Sequence, residues 1–173
     1  MGLAAELALS SPRYSPLARG IRWFAGLRVG DWLLAPTLPH LDRWMLRVSG
    51  GRRTISEMLA GVPTLFLTTT GARSGQQRTV QLIGVPIGDD LAVIGSNFGR
   101  RADPGWVINV IADPRATASC HGRSAQVIVR ELTGAQAEQV WAAGRTLYRG
   151  FATYPGMVAN RTIRVFRLEL VNP

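Results

Sequence analysis

Apolar and polar residues change their rhythm near residue 62 of this 173-residue chain. The first sixteen residues, MGLAAELALSSPRYSP, hold no sustained period and end in serine and proline, which predicts a mobile terminus or a frayed helix. From Leu17 to Ala35 apolar side chains mix with Arg19, Arg22 and Arg28 and with three glycines, a helical stretch broken by Pro36 and Pro39. Leu41, Trp44, Met45 and Val48 then recur at i, i+3, i+4 and i+7, with Arg43 and Arg47 off that face and Gly50-Gly51 as the stop. That spacing predicts a short amphipathic helix.

After residue 62 the pattern is strand-like. VPTLFLTTT is rich in β-branched and aromatic residues, RTVQLIGVPI alternates in part, and LAVIGS is a short apolar run. With GARSGQQ and GDD as turns, these predict a three-stranded meander. DPGWVINVIADP predicts a helix that groups Trp106, Val107, Val110 and Ile111 on one face. RATASCHG and RSAQVIVREL predict a hairpin. TGAQAEQVWAAGRTLY predicts a helix with Thr133 and Gln136 at capping-box spacing and Val140, Trp141, Gly144 and Tyr148 along one side. RTIRVFRLELV predicts a last strand. The short turns and the excess of strands point to an α+β chain: mainly an antiparallel sheet, closed or nearly closed, with helices in its gaps. Nothing in the order supports a doubly wound fold.

Composition narrows the chemistry. One cysteine, Cys120, excludes an internal disulfide, and His40 and His121 are too few for a Cys/His metal centre, so no metal is expected. No run of eighteen apolar residues suggests a spanning helix, and the arginine-studded start does not read as a signal peptide. The expected location is therefore cytoplasmic. The formal net charge is +9 and every basic residue is arginine, a rigid planar fork suited to phosphate and carboxylate. GxSxG, GxxxxGK and GxGxxG motifs are absent, which removes the mechanical parts of serine hydrolases, P-loop proteins and Rossmann dehydrogenases. The adjacent acids Asp89-Asp90 read as hairpin-turn residues.

Two loops remain. TTTGARSGQQRTV places Arg73, Ser74, Gly75 and Arg78 in an acid-free turn whose amides and guanidinium groups suit an anion. SNFGRRADPGW places Ser96, Asn97, Gly99, Arg100 and Arg101 just before a helix start, where donors are unpaired. Two such loops after strands suggest one long anionic ligand.

LTTTGARSGQQRTVQL, SNFGRRADPGWVINVIADP, YRGFATY and RTIRVFRLEL, in that order over residues 62 to 172, resemble the deazaflavin-dependent nitroreductase family. The resemblance implies a split β-barrel of the FMN-binding-like kind over residues 62–173, an N-terminal helical extension over 1–61, and coenzyme F420 as the cofactor. It implies that Arg73, Ser74, Gly75 and Arg78 hold the coenzyme's acidic tail, that Ser96, Asn97, Gly99 and Arg100 lie beside the deazaflavin, and that Trp106 and Asn109 belong to the helix lining that pocket. Tyr148, Phe151 and Tyr154 match three aromatic positions on the substrate side. Three positions depart from the family's pattern: Ala72 where a basic residue is common, Asn97 where lysine occurs, and Phe151 where tyrosine occurs. The activity implied is hydride transfer from the reduced coenzyme to a quinone, an activated alkene or a nitroaromatic, with Tyr148 and Tyr154 as candidate catalytic hydroxyls and Ser96 as a positioning hydroxyl.

The extension mixes Trp, Phe and Leu with arginine, which suits either a cap on the barrel or peripheral contact with an anionic membrane at its inner face. A non-catalytic split-barrel carrier of a flavin-like, haem-derived or lipid ligand is the alternative function. Nucleic acid is not an expected partner, because the arginines are dispersed and no reader motif or stacking platform accompanies them. The chain is expected to act as a monomer or a homodimer.

Overall fold

The computed structural model describes residues 2–7, 62–158 and 161–171. The helices expected within 17–35 and at 41–48 lie outside these residues. Seven strands form a single antiparallel sheet: β1 (Thr64–Thr70), β2 (Gln77–Ile83), β3 (Val85–Ile87), β4 (Asp90–Ile94), β5 (Arg115–Cys120), β6 (Arg123–Leu132) and β7 (Val165–Leu170). The helices are α1 (Leu3–Glu6), α2 (Gly105–Ala112), α3 (Gly134–Leu147) and α4 (Gly150–Met157), with a 3-10 turn at Asn97–Gly99.

Strand order is β2-β1-β5-β6-β7-β4-β3. The two outermost strands, β2 and β3, are consecutive in the chain with Gly84 alone between them. One residue cannot bridge the two ends of a flat sheet, so the sheet curls until its edges meet. This is a split β-barrel, as the resemblance implies.

The expected three-stranded meander is corrected accordingly. RTVQLIGVPI is not one strand: its first part pairs with β1 and its last part with β4, at opposite edges of the order. The break falls at Gly84, whose N–H donates to the Pro63 carbonyl at 2.9 Å and whose missing side chain leaves room for Leu65. Pro86, which has no N–H to give, occupies an edge strand where only one ladder must be satisfied.

Because neighbours are antiparallel, β1, β4 and β6 run one way and the other four run back. The β1–β2 turn, the loop after β4, the start of α3 and the start of β7 therefore share one end, here called upper. Helix α2 begins after the upper end of β4 and delivers the chain to the upper end of β5, so it crosses that mouth.

Side chains of alternate residues fill the interior: Leu65 and Leu67, Ala116 and Ala118, Val127 and Val129, Leu91 and Val93, Phe166 and Leu168. Trp106, Val107 and Val110 of α2 enter the same core from above. Ile111, expected on that face, is 53% exposed, because a helix lying across a mouth presents only a narrow stripe inward. A second core forms outside the barrel, where α3 and α4 cover Val85, Ala92, Ile94 and Val165 with Val140, Trp141, Leu147, Phe151 and Tyr154. Strand β4 is thus buried on both faces, which is why it reads as an unbroken apolar run.

Three further differences from expectation have local causes. Leu3 and Leu7 are fully buried in the barrel core, so residues 3–7 are neither mobile nor frayed. Helix α1 is anchored at the lower end by the N–H of Ala4, which donates to the Asp89 carbonyl at 3.2 Å. Helix α4 is unanticipated, since Gly150, Pro155 and Gly156 all argue against a helix. Thr133 is the N-cap of α3 but makes no side-chain capping hydrogen bond, so the capping box is not formed. Gly134, the first helical residue, has φ 56°, which turns the chain away from regular capping geometry.

Candidate functional site: an arginine-rich barrel mouth

The β1–β2 turn is built from its own backbone. The N–H groups of Ser74 and Gly75 both donate to the Gly71 carbonyl, and that of Gly71 donates to the Gln76 carbonyl at 2.8 Å. Gly75 has φ 66°, a conformation that glycine adopts without strain, and nothing lies within 4 Å of where its Cβ would stand. Arg73, Ser74, Gly75 and Arg78 are exposed.

Asn109 ties this turn to α2. Its Oδ1 accepts from the Ala72 N–H at 3.0 Å, and its Nδ2 donates to Thr69 Oγ1 at 3.0 Å. Sequence reading placed Asn109 against the ligand; the structure gives it a buttressing contact with the turn. Asn109→Ala removes both bonds, and a stability loss of about 1–2 kcal/mol is expected in urea denaturation, at the usual ~1 kcal/mol per bond. An unchanged midpoint would count against the buttress.

The loop after β4 is held by Arg161. Its guanidinium donates to the carbonyls of Gly95 at 3.2 Å, Ser96 at 2.9 Å and Arg100 at 3.1 Å, and to Asp103 Oδ1 at 2.9 Å. The Arg161 side chain is only 10% exposed. Asn97 Nδ2 closes the loop onto the Ala102 carbonyl at 2.9 Å. Asn97, Phe98 and Gly99 all have positive φ, at 47°, 54° and 72°. Gly99 packs against Met157 of α4, leaving Arg100 exposed outside the turn.

Trp106 is buried in the barrel core, edge-on to Phe166 with ring centroids 5.3 Å apart. Tyr148 and Tyr154 share a hydrogen bond of 3.1 Å between their hydroxyls. Gly150 lies between the two rings: a Cβ there would stand 2.3 Å from Tyr148 Cε1 and 2.8 Å from Tyr154 Cζ. Any side chain at this position would force the rings apart. Phe151 is buried beside them, edge-on to Trp141, and Phe98 meets Tyr154 edge-on at 6.5 Å.

Electrostatics at this end are lopsided. Three acids here are matched among the described residues: Asp103 to Arg161, Asp113 to Arg115 and Glu131 to Arg164. Hydrogen bonds from Arg115 hold the Asp113 carboxyl below the usual range. Arg73, Arg78, Arg100 and Arg101 form no ion pair among the described residues. The upper mouth therefore keeps a surplus of arginine.

The structure brings the two loops to one end and sets the tyrosine pair beside the second. Sequence reading missed Arg161 and Phe98. Arg161 stands in a segment that reads as an alternating strand, where arginine signals exposure, and only its clustered carbonyl partners reveal its role. Among the described residues no group of metal-ligating side chains occurs and no helix is long and apolar enough to cross a membrane.

A split β-barrel with a cationic mouth and a paired-hydroxyl aromatic cluster is the class that fold and site define. A family model, F420H(2)-dependent quinone reductase, matches residues 40–169, and the chain belongs to that family. F420H(2)-dependent quinone reductases of Mycobacterium tuberculosis strains CDC 1551 and H37Rv are each 40% identical over 90 residues, which is 50% of this chain. The matched part spans 59% of the length of those curated relatives. The solved structure of an F420-H2 dependent reductase, FDR-A, is similar at 32% identity and a TM-score of 0.57, covering 62% of this chain and 94% of that one. Another, described as a domain-swapped dimer, is 28% identical with a TM-score of 0.59, covering 80% and 98%.

Proposed function

We infer that this chain is a coenzyme F420-dependent oxidoreductase that reduces a quinone, with activated alkenes and nitroaromatics as further acceptors. The observation that carries the reading is the surplus of unpaired arginine on two loops at one mouth, beside a hydroxyl pair. Family membership supports it.

The residues present suit the coenzyme. Arg73, Arg78 and the amides around Gly75 suit its anionic tail, and Ser96, Asn97, Gly99 and Arg100 suit the segment nearer the ring. When bound, the reduced deazaflavin supplies the hydride. The protein's part is to bind, orient and exclude water. In this reading the half-buried Tyr148 donates a hydrogen bond to an acceptor oxygen, while Tyr154, only 2% exposed, acts behind it through their shared hydroxyl bond and replaces a proton that Tyr148 gives up. Ser96 presents a hydroxyl at the same loop. Trp106 acts through the core, holding α2 and hence Asn109 in place.

Residues 62–173 are the coenzyme-binding barrel in this reading and 1–61 the extension, of which Leu3 and Leu7 already serve the barrel core. A cytoplasmic location with peripheral contact at an anionic membrane face belongs to the same proposal. Deleting the extension would also remove those leucines, so the contact is better tested by co-sedimenting the full chain and a Trp23→Ser/Trp32→Ser form with anionic liposomes. Equal binding by both would remove the extension's role. Pairing into a homodimer is proposed from the similarity to a domain-swapped dimer, with light scattering as its check.

The central test is a fluorescence titration with the coenzyme followed by a quinone assay that monitors its reoxidation. Saturable binding with turnover is expected. Binding without turnover would leave a carrier, and no binding would end the reading.

A further inference from the structure

We propose that Met157 is a modification site: peroxide oxidises its thioether to the sulfoxide, and the change releases the loop after β4. That the release lowers coenzyme affinity rests on the oxidoreductase reading above.

The loop is under strain. Asn97, Phe98 and Gly99 have φ values of 47°, 54° and 72°, a left-handed run in which only the glycine is at ease. Such a conformation persists only where its surroundings over-determine it. Side-chain bonds hold the flanks: Arg161 donates to the Gly95, Ser96 and Arg100 carbonyls, and Asn97 Nδ2 to that of Ala102. None of them reaches Phe98 or Gly99. At Gly99 the three atoms nearest to where a Cβ would stand are Met157 Cβ and Sδ at 3.1 Å and Cε at 3.3 Å. Met157, the last residue of α4, thus lays its thioether along the glycine backbone.

That sulfur is both structural and reachable. Gly99 is buried, whereas Met157 is 45% exposed, so peroxide in solvent meets the very side chain that presses on the loop. In the reaction an Sδ lone pair takes one peroxide oxygen as the O–O bond breaks, and the other oxygen leaves as water; sulfur is oxidised by two electrons and the peroxide reduced by two. The product carries a polar, hydrated oxygen. Turned inward, that oxygen has no room beside Gly99; turned outward, it draws the side chain into water. Either way the contact on the turn is lost and the strain of residues 97–99 relaxes. Ser96, Asn97, Gly99 and Arg100, assigned to the coenzyme in that reading, move with it. The Cys120 thiol is not an equal target, since it is buried and donates to the Thr64 carbonyl at 3.2 Å.

The test oxidises the full chain with excess hydrogen peroxide, reads the sulfoxide at each methionine by peptide mass spectrometry, and follows two properties. These are the coenzyme Kd, by fluorescence, and the rate at which trypsin cuts after Arg100 and Arg101. Kd is expected to rise about three- to tenfold in proportion to the Met157 sulfoxide, the worth of one lost methionine contact. Cleavage should quicken by the same factor, since it tracks the population of the opened loop. Methionine sulfoxide reductases A and B together should restore both properties, and dithiothreitol, which reverses thiol oxidation, should not. Met157→Leu keeps the apolar contact, so its Kd should stay within about twofold of wild type and should not respond to peroxide. Met157 left unmodified, properties unchanged at full Met157 oxidation, or a Met157→Leu form that responds as wild type does would each overturn the proposal. If the unoxidised wild type binds no coenzyme, the oxidoreductase reading falls, and the trypsin rate alone decides for or against release of the loop.

Discussion

Replacing Arg73 and Arg78 together with alanine raises the coenzyme's Kd about 30-fold at low ionic strength, on the basis of ~1 kcal/mol for each exposed charge contact. Arg73 lies within the β1–β2 turn and Arg78 on β2 just after it, and neither has a carboxylate partner among the described residues, so an anionic ligand need not displace one. Both are exposed, so the fold should be little disturbed and the melting temperature should hold. The loss should shrink as salt rises toward 0.5 M, where screening reaches only about 4 Å. Arg123→Ala is the control. It removes a charge at the lower end, where Arg123 Nη1 donates to the Glu6 carbonyl at 3.4 Å. A general field effect would weaken binding in both proteins, whereas local contact predicts loss only in the upper-mouth variant. Titration by deazaflavin fluorescence at two salt concentrations separates the cases, and wild-type affinity in the double variant would remove the anchor.

Arg161→Ala should be the most damaging single change to the architecture of the site. The side chain satisfies three carbonyls and one carboxylate from a position only 10% exposed. Its removal strands those acceptors and leaves Asp103 without its ion pair. The pair is part-buried, with Asp103 30% exposed, so the loss of the three carbonyl bonds and the ion pair together is expected to cost about 3–5 kcal/mol, at roughly 1 kcal/mol per bond. At roughly 2–4 °C per kcal/mol for a chain of this size, the melting temperature should fall by on the order of 10 °C. Arg161→Lys should recover only part of the loss, since one ammonium cannot reproduce the planar fork that reaches four acceptors. The chemistry should suffer with the structure: released from its carbonyl grip, the 95–103 loop loses the geometry that sets Ser96 and Phe98 at the mouth. Calorimetry and steady-state kinetics on the same preparations check both effects. A melting point within about 2 °C of wild type would show that the loop is held by something other than Arg161.

Much of the barrel was legible from the sequence because its strands obey local rules. RATASC alternates exposed and buried residues as a strand with one interior face should, and TGAQAEQVWAAGRTL carries a clean helical stripe. The breaks were not legible. Ile83, Gly84 and Val85 form a seamless apolar run, and only the pairing of each half with a different neighbour shows that one strand closes the barrel at both edges. Leu3 and Leu7 belong to a segment without period, since two residues that plug a cavity need no repeating face. Ile111 follows the helical spacing yet stays outside, because α2 spans a mouth instead of resting on a sheet.

For the site, the two loops were readable from the conjunction of arginine, glycine and absent acid. That they would share one ligand was expected from loops following strands; that they meet although β1 and β4 are not neighbours in the sheet depends on strand directions that only the ladders define. Tyr148 and Tyr154 were readable as candidates, but the hydroxyl bond between them depends on the bare backbone of Gly150. Asn109 was assigned to the ligand and is seen to brace the turn. Arg161 was invisible as a clamp because its partners are main-chain oxygens, which carry no residue identity.

The position of β7 has a consequence for biosynthesis. This strand follows all the other described strands in sequence yet lies between β6 and β4, and the β3–β4 hairpin has no ladder to β6 without it. During translation the growing chain can assemble β2, β1, β5 and β6 as one patch and the β3–β4 hairpin as another, but the wall between them stays open until residues 165–170 have left the ribosome. Until then two unpaired strand edges face a shared gap, the interval in which a chaperone has most to protect.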